Sequence, residues 1–229
     1  MVQRLTGMGF ALVATPVMVL LYGPVDGVLT VVVLGLPASV IVLAATVRDV
    51  DWRRALLLTG AGVAVSPLAA WLVGLAPAPL LLLIVGAAGV LALLGSHLGR
   101  VATLLTGRRG AIIAGAASGM LHTASGLSGP PLIAYAAGTR WPHRSFAASL
   151  QVVFIGFHVA TLMWRGLPEF EIGDLTWLLT VTLVGSIAGT VTARWVSVRW
   201  ARMGMLAIAW TGTIAVLVRG VVDVVRPGI

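Results

Sequence analysis

The sequence predicts an all-α polytopic membrane protein built as two inverted repeats, each a broken-helix re-entrant hairpin followed by three transmembrane helices. Three observations lead there. Apolar residues fill 59% of the 229 positions and charged residues only 10%, whereas a soluble domain is about 45–50% apolar and about 25% charged. Mean hydropathy is +1.05, and at roughly 20 residues per crossing the chain holds about six to eight spans. Finally, one apolar run is broken by clustered Gly, Ser and Pro, and the arginines are unevenly shared among the loops. This composition excludes a soluble or disordered chain and leaves no room for a soluble catalytic module. The expectation is a single transmembrane domain over 1–229.

The net charge is +8, from 15 Arg, no Lys and 7 acidic residues. A basic chain can signal nucleic acid, but in a membrane protein the positive-inside bias explains it, and no nucleic-acid partner is expected. Without Cys there is no disulfide, thiolate metal site or cysteine nucleophile. The four His are far apart and none has HExxH spacing, so neither a metal nor a cofactor is expected. The start, MVQRLTGMGF, lacks the layout of a cleaved signal, so its apolar run is expected in the mature protein.

Residues 5–22 are apolar but interrupted by Gly7, Gly9 and Pro16, and a cleaner helix is expected at 25–47. After the polar stretch RDVDWRR (48–54), spans follow at 55–75 and from Pro79 to Leu98, divided by the APAP turn. Proline at a first helical position is favourable. A basic loop, 99–110, leads to 111–138, which SGLSGPP (125–131) interrupts. Later spans are expected at 144–164, 175–193 and 203–222. Trp52, Trp141, Trp164, Trp195 and Trp200 fall at segment ends, as an interfacial aromatic belt requires.

The interrupted segment carries most of the information. In hydrocarbon, unwound backbone survives only when buried in protein or lining a watery cavity. Gly126 and Gly129 permit non-helical backbone. Pro130 and Pro131 stop a continuing helix, while Pro130 can open a new one. The expected result is two half-helices, roughly 111–124 and 130–138, meeting at Ser125 to Gly129. The plain alternative is a kinked helix whose small residues allow tight packing.

Arginine placement favours a hairpin over a crossing. If 111–138 crosses once, the arginines divide ten to five. With re-entrant hairpins at 111–138 and at 5–22, eleven gather on one face. Four remain on the other: Arg4, Arg165, Arg219 and Arg226. The stronger bias makes loops 48–54, 99–110, 139–144 and 194–202 cytoplasmic, in the cytoplasmic (inner) membrane. Three full spans per half, an odd number, then require inversion. Aligning 51–94 with 174–217 gives 11 identities in 44, including Asp51/Asp174, Gly62/Gly185 and Gly89/Gly212. The repeats are expected at about 1–98 and 99–229. The arm 111–124 has no counterpart before Thr6-Gly7-Met8-Gly9-Phe10. Either the true start lies upstream or this chain dispenses with that arm.

A half-helix N-terminus presents unpaired amides and partial positive charge, which suit an anion. The expected binding residues are the amides of Gly126 to Gly129 with the hydroxyls of Ser125 and Ser128. Thr6, Gly7 and Gly9 take the corresponding place in the first half. His122, Gln151 and His158 lie nearby. Gln151 and His158 are two helical turns apart and share a face, and intramembrane ionisable groups are functional candidates. For each, the plain alternative is a buried polar group satisfied by neighbouring backbone.

The stretch SGMLHTASGLSGPPLIAYAAG (118–138) resembles the second signature of the sulfite exporter TauE/SafE family of permeases, and TGMGFALVATPVMVLL (6–21) resembles its first. VDWRRALLLTGAGVAVSPLAAWL (50–72) resembles the stretch after the family's second span. The family's leading arm is missing, and Phe10 and Ala11 stand where Gly is common. The resemblance implies a multi-pass permease for small sulfur-containing anions such as sulfite or sulfonates, often an exporter. It places the pore at Gly7, Gly9 and Pro16, then Ser125, Gly126, Gly129, Pro130 and Pro131.

The first functional expectation is therefore a secondary anion permease working by alternating access, not an enzyme. Amide ends rather than a fixed Arg would bind the anion, because conduction needs moderate affinity. His122 or His158 would couple transport to a proton. An intramembrane serine hydrolase is the second reading, with Ser125 as nucleophile and a later His as base. Against it, the string is TASG and no acid lies deep in the membrane. A non-transporting scaffold is the third. The spacing of Gly185 and Gly189 suits a homodimer or internal packing alike.

Overall fold

The computed structural model describes residues 9–94, 104–169, 176–182, 184 and 198–226. Helix and short turns account for all of these, with no strand among them. Helix α1 is Gly9–Thr46, α2 Trp52–Leu75, α3 Ala78–Leu93, α4 Gly107–Ser125, α5 Gly129–Gly138, α6 His143–Arg165 and α7 Val198–Val225. Residues 176–182 are also helical. Four helices are long and apolar enough to cross a membrane: Phe10–Asp49, Trp52–Leu75, His143–Arg165 and Met203–Val225. Thr6 and Gly7, most of the expected 175–193 span, Gly185 and Gly189 lie outside the described residues, as does Trp195.

Local chemistry sets the helix ends. Asp51 caps α2 through its carboxylate, which accepts from the Arg54 N–H at 3.1 Å. Gly126, in the left-handed region at φ 71, closes α4 by donating its N–H to the His122 carbonyl at 2.7 Å. The α4 start corrects an expectation. Arg108 and Arg109 belong to its first turn and not to a loop reaching residue 110.

Close glycine contacts reveal the direction of each helix. A methyl on Gly115 would lie 2.4 Å from the Leu58 carbonyl oxygen, and one on Gly119 2.4 Å from the Gly62 Cα. Partner numbers rise together, so α4 runs parallel to α2. The Asp51 N–H donates to Ser149 Oγ at 2.9 Å, and Gly62 meets the Phe157 ring, so α6 is parallel to α2 as well. Since α4 and α6 start at the same end, α5 must run back between them. Ser118 Oγ confirms the reversal by donating to the Ser128 carbonyl at 2.9 Å. Ten residues of continuous helix would hold them about 15 Å apart. The interrupted segment is a re-entrant hairpin and not a kinked rod.

In the first half the chain also reverses at Gly23, with φ 82 and ψ 173, after the 5–22 segment; the break expected at Thr6 to Gly9 lies mostly outside the described residues. A methyl on Gly27 would lie 2.5 Å from the Met18 carbonyl oxygen, so residues 9–22 and 24–46 form two arms of α1. The 9–22 arm meets α7 at Pro16/Gly212 and through Arg219, whose guanidinium donates to the Leu20 carbonyl. The 24–46 arm runs antiparallel to α6, from Asp26 near Glu169 to Asp49 paired with Arg144 at 2.8 Å.

The apolar interior falls into two clusters. One joins Leu58 of α2, Ala111 and Ala114 of α4, Leu132 and Tyr135 of α5, and Phe154 and Phe157 of α6. The other joins Val19, Val28 and Val32 of α1 with Leu82 and Val85 of α3 and Val216 of α7. Trp141 corrects the aromatic-belt expectation. It is 7% exposed, lies beneath the Arg54 guanidinium at 5.0 Å and meets Tyr135 edge-on. Trp52 and Trp164 are exposed, as a belt requires.

Candidate functional site

The chain unwinds over Gly126 to Ser128, where the α4–α5 hairpin meets α1 and α6. The Gly119–Gly62 contact places residue 125 about 9 Å beyond Gly62 along the bundle, at 1.5 Å per residue. The bend therefore sits past the middle of α2, toward its C-terminal end. A methyl on Gly126 would lie 3.5 Å from Thr15 Oγ1 and 3.7 Å from a Val28 methyl, so both arms of α1 reach it.

Two of the four amides expected to bind a ligand are spent inside the bend. Gly126 N–H goes to the His122 carbonyl, and Leu127 N–H donates to Ser125 Oγ at 3.3 Å. Ser125 Oγ in turn donates to the Leu121 carbonyl at 2.7 Å. The N–H groups of Ser128 and Gly129 have no acceptor among the described residues. Helix α5 opens at Gly129, with Pro130 and Pro131 following and adding no donors. Thr15 Oγ1 is wholly buried and likewise lacks a partner. Gly9 lies in the first turn of α1, at the edge of the described residues.

His122 and His158 come together, which sequence spacing could not show. His122 Nε2 lies 2.9 Å from His158 Nδ1, and the residues are 1% and 6% exposed. His122 also meets the Phe157 ring, and Phe154 stacks on His158. On the other side, a methyl on Gly35 would stand 2.7 Å from His158 Nε2, so α1 backbone walls the pair in. His122 Nδ1 has no partner. Gln151 does not join them: its Nε2 donates to the Ala147 carbonyl of its own helix at 3.1 Å. Nor does Ser125 form a dyad, because its hydroxyl is directed to Leu121 backbone and makes no hydrogen bond to a histidine. Among the described residues, no three of His, Asp or Glu could hold a metal ion.

Thr15, Gly35 and Arg165 were not among the sequence candidates. Thr15 and Gly35 sit in apolar runs with no polar neighbour to mark them. Arg165 ends a span and reads as a face charge, yet its Nη1 donates to the Thr123 carbonyl at 2.7 Å.

Ser118 holds the hairpin closed, and Ser118→Ala would strand the Ser128 carbonyl in a buried setting. The expected cost is about 1–2 kcal/mol, read as a lower melting temperature of the purified protein in detergent. Unchanged melting would remove Ser118 from this role.

A re-entrant hairpin with free amides, packed among apolar spans, agrees with the comparison of the chain with known families. The sulfite exporter TauE/SafE family matches residues 1–217. The chain belongs to this family. It is thus a multi-pass membrane transporter of a family that moves sulfite-like anions. No curated protein and no solved structure matches the chain.

Proposed function

We propose that this TauE/SafE-family protein is a secondary permease that moves a small sulfur-containing anion, sulfite or a sulfonate, by alternating access. The observation that carries the reading is the bend itself. It combines two free N–H groups, Ser128 and Gly129, with the buried, unpartnered Thr15 hydroxyl on the facing arm. Half-helix ends favour anions at such a place. The Gly23 turn, between the 9–22 arm and the 24–46 span, lies at the opposite end of the bundle from the 139–142 turn between α5 and α6, which supports an inverted-repeat arrangement divided near residue 98. The end carrying Arg48, Arg53, Arg54, Arg108, Arg109, Arg140 and Arg144 faces the cytoplasm.

The His122–His158 pair supplies coupling. Two rings in hydrogen-bond contact take up one proton between them, since a second would set like charges together without water.

The test is sulfite flux into proteoliposomes holding the purified protein. Gly126→Ala must adopt φ 71 with a Cβ, a strain of about 1–2 kcal/mol, while its methyl meets only ordinary contacts. Flux is expected to fall about tenfold or more at unchanged expression, with melting lowered by only a few degrees. Wild-type vesicles that pass no sulfite, or a variant that transports normally, would overturn the reading. Loss of folding alone would favour a scaffold.

A further inference from the structure

We infer that Arg165 is a substrate-binding residue, its guanidinium supplying the positive charge that meets a small oxyanion at the bend. The inference rests on the permease reading above. Arg165 lies at the C-terminus of α6, and the parallel register of α2, α4 and α6 brings it level with the end of α4. Its Nη1 donates to the Thr123 carbonyl, one of the last α4 carbonyls that a continuing helix would have satisfied. That bond fixes the guanidinium plane against the bend.

The other half of the group is unused. Nη2 is buried and has no hydrogen-bond partner, although a guanidinium carries five donors suited to oxyanions. Nor is the charge paired among the described residues. The ion pairs among the described residues are Arg54–Asp51, Arg144–Asp49 and Arg219–Asp223. Asp26 is close enough to be felt electrostatically, but makes no ion pair with Arg165. Its Oδ1 accepts from the Glu169 N–H at 3.2 Å. A buried N–H edge beside the end of α4, charged and with no ion-pair partner among the described residues, is a place for an anion.

A purely structural cap on Thr123 would use Nη1 alone, and the experiment separates that role from binding. Sulfite flux and sulfite binding are measured for wild type, Arg165→Gln, Arg165→Lys and the control Arg219→Gln, each with its melting temperature. Arg165→Gln keeps an N–H donor but removes the charge. We expect its KM and Kd for sulfite to rise about tenfold or more with kcat little changed. Arg165→Lys should fall between that variant and wild type, and Arg219→Gln should match wild type. Arg165→Gln with KM and Kd within twofold of wild type overturns the inference and leaves the permease reading standing. So does equal impairment of Gln and Lys variants in step with lost melting temperature, the mark of a cap alone. Wild-type protein that neither binds nor transports sulfite overturns both.

Discussion

Gly119→Val is expected to abolish folded protein. A methyl at Gly119 already lies 2.4 Å from the Gly62 Cα and 2.5 Å from the Gly62 oxygen. Both are backbone, so no flexible side chain can swing aside. Gly62 itself is pressed between the Phe157 ring and the Gly115 carbonyl. Widening one contact therefore separates α2 from α4 and α6 together. Overpacking of a core costs about 1–3 kcal/mol when side chains can shift; with backbone on both sides, about 3 kcal/mol or more is expected. In a membrane, such small-residue seams supply much of the association between helices. Fluorescence-detected size-exclusion profiles and thermal melts give the readout. Gly74→Ala, with nothing within 4 Å, serves as the unaffected control. A Gly119→Val protein melting like wild type would show that the seam is looser than this packing requires.

His122→Gln is expected to uncouple transport from the proton gradient. With the pair intact, sulfite flux should rise several-fold when a pH gradient is imposed across proteoliposomes. In the variant, flux with and without the gradient should converge on one value. His158→Gln should do the same, and the double variant should be no worse than either single one, because the two rings act as a unit at 2.9 Å. Melting temperatures accompany each measurement, since either change leaves a buried ring nitrogen unpaired, at about 1–3 kcal/mol. Wild-type flux indifferent to the gradient, or a His122→Gln protein that still responds to it, would end the coupling proposal.

Much of the architecture was legible because membranes make backbone chemistry conspicuous. SGLSGPP concentrates residues that cannot continue a helix, and the lopsided arginines then argued for a reversal. The Gly119–Gly62 and Ser118–Ser128 contacts bear out that reversal. The site was less legible. Gly126 and Leu127 spend their amides on His122 and Ser125, a local closure that depends on exact dihedral angles. Periodicity put Gln151 and His158 on one face but could not say that α4 brings His122 only to the second. Trp141 sits in a turn, where a tryptophan reads as interfacial; here the turn folds beneath Arg54 and buries the ring. Arg165 ends a helix in sequence, but the bend at Gly126 brings the end of α4 to it.

The separation of the interior into two apolar clusters has a mechanical meaning. The two clusters meet along the 24–46 arm and α6, where Asp26 faces Glu169, Gly35 faces His158 and Asp49 pairs with Arg144, so movement of one against the other would exchange these polar contacts. Neither oily interior would have to open. Such a division lets the molecule deform along a polar fault line while each half keeps its own packing, and the bend lies on that line.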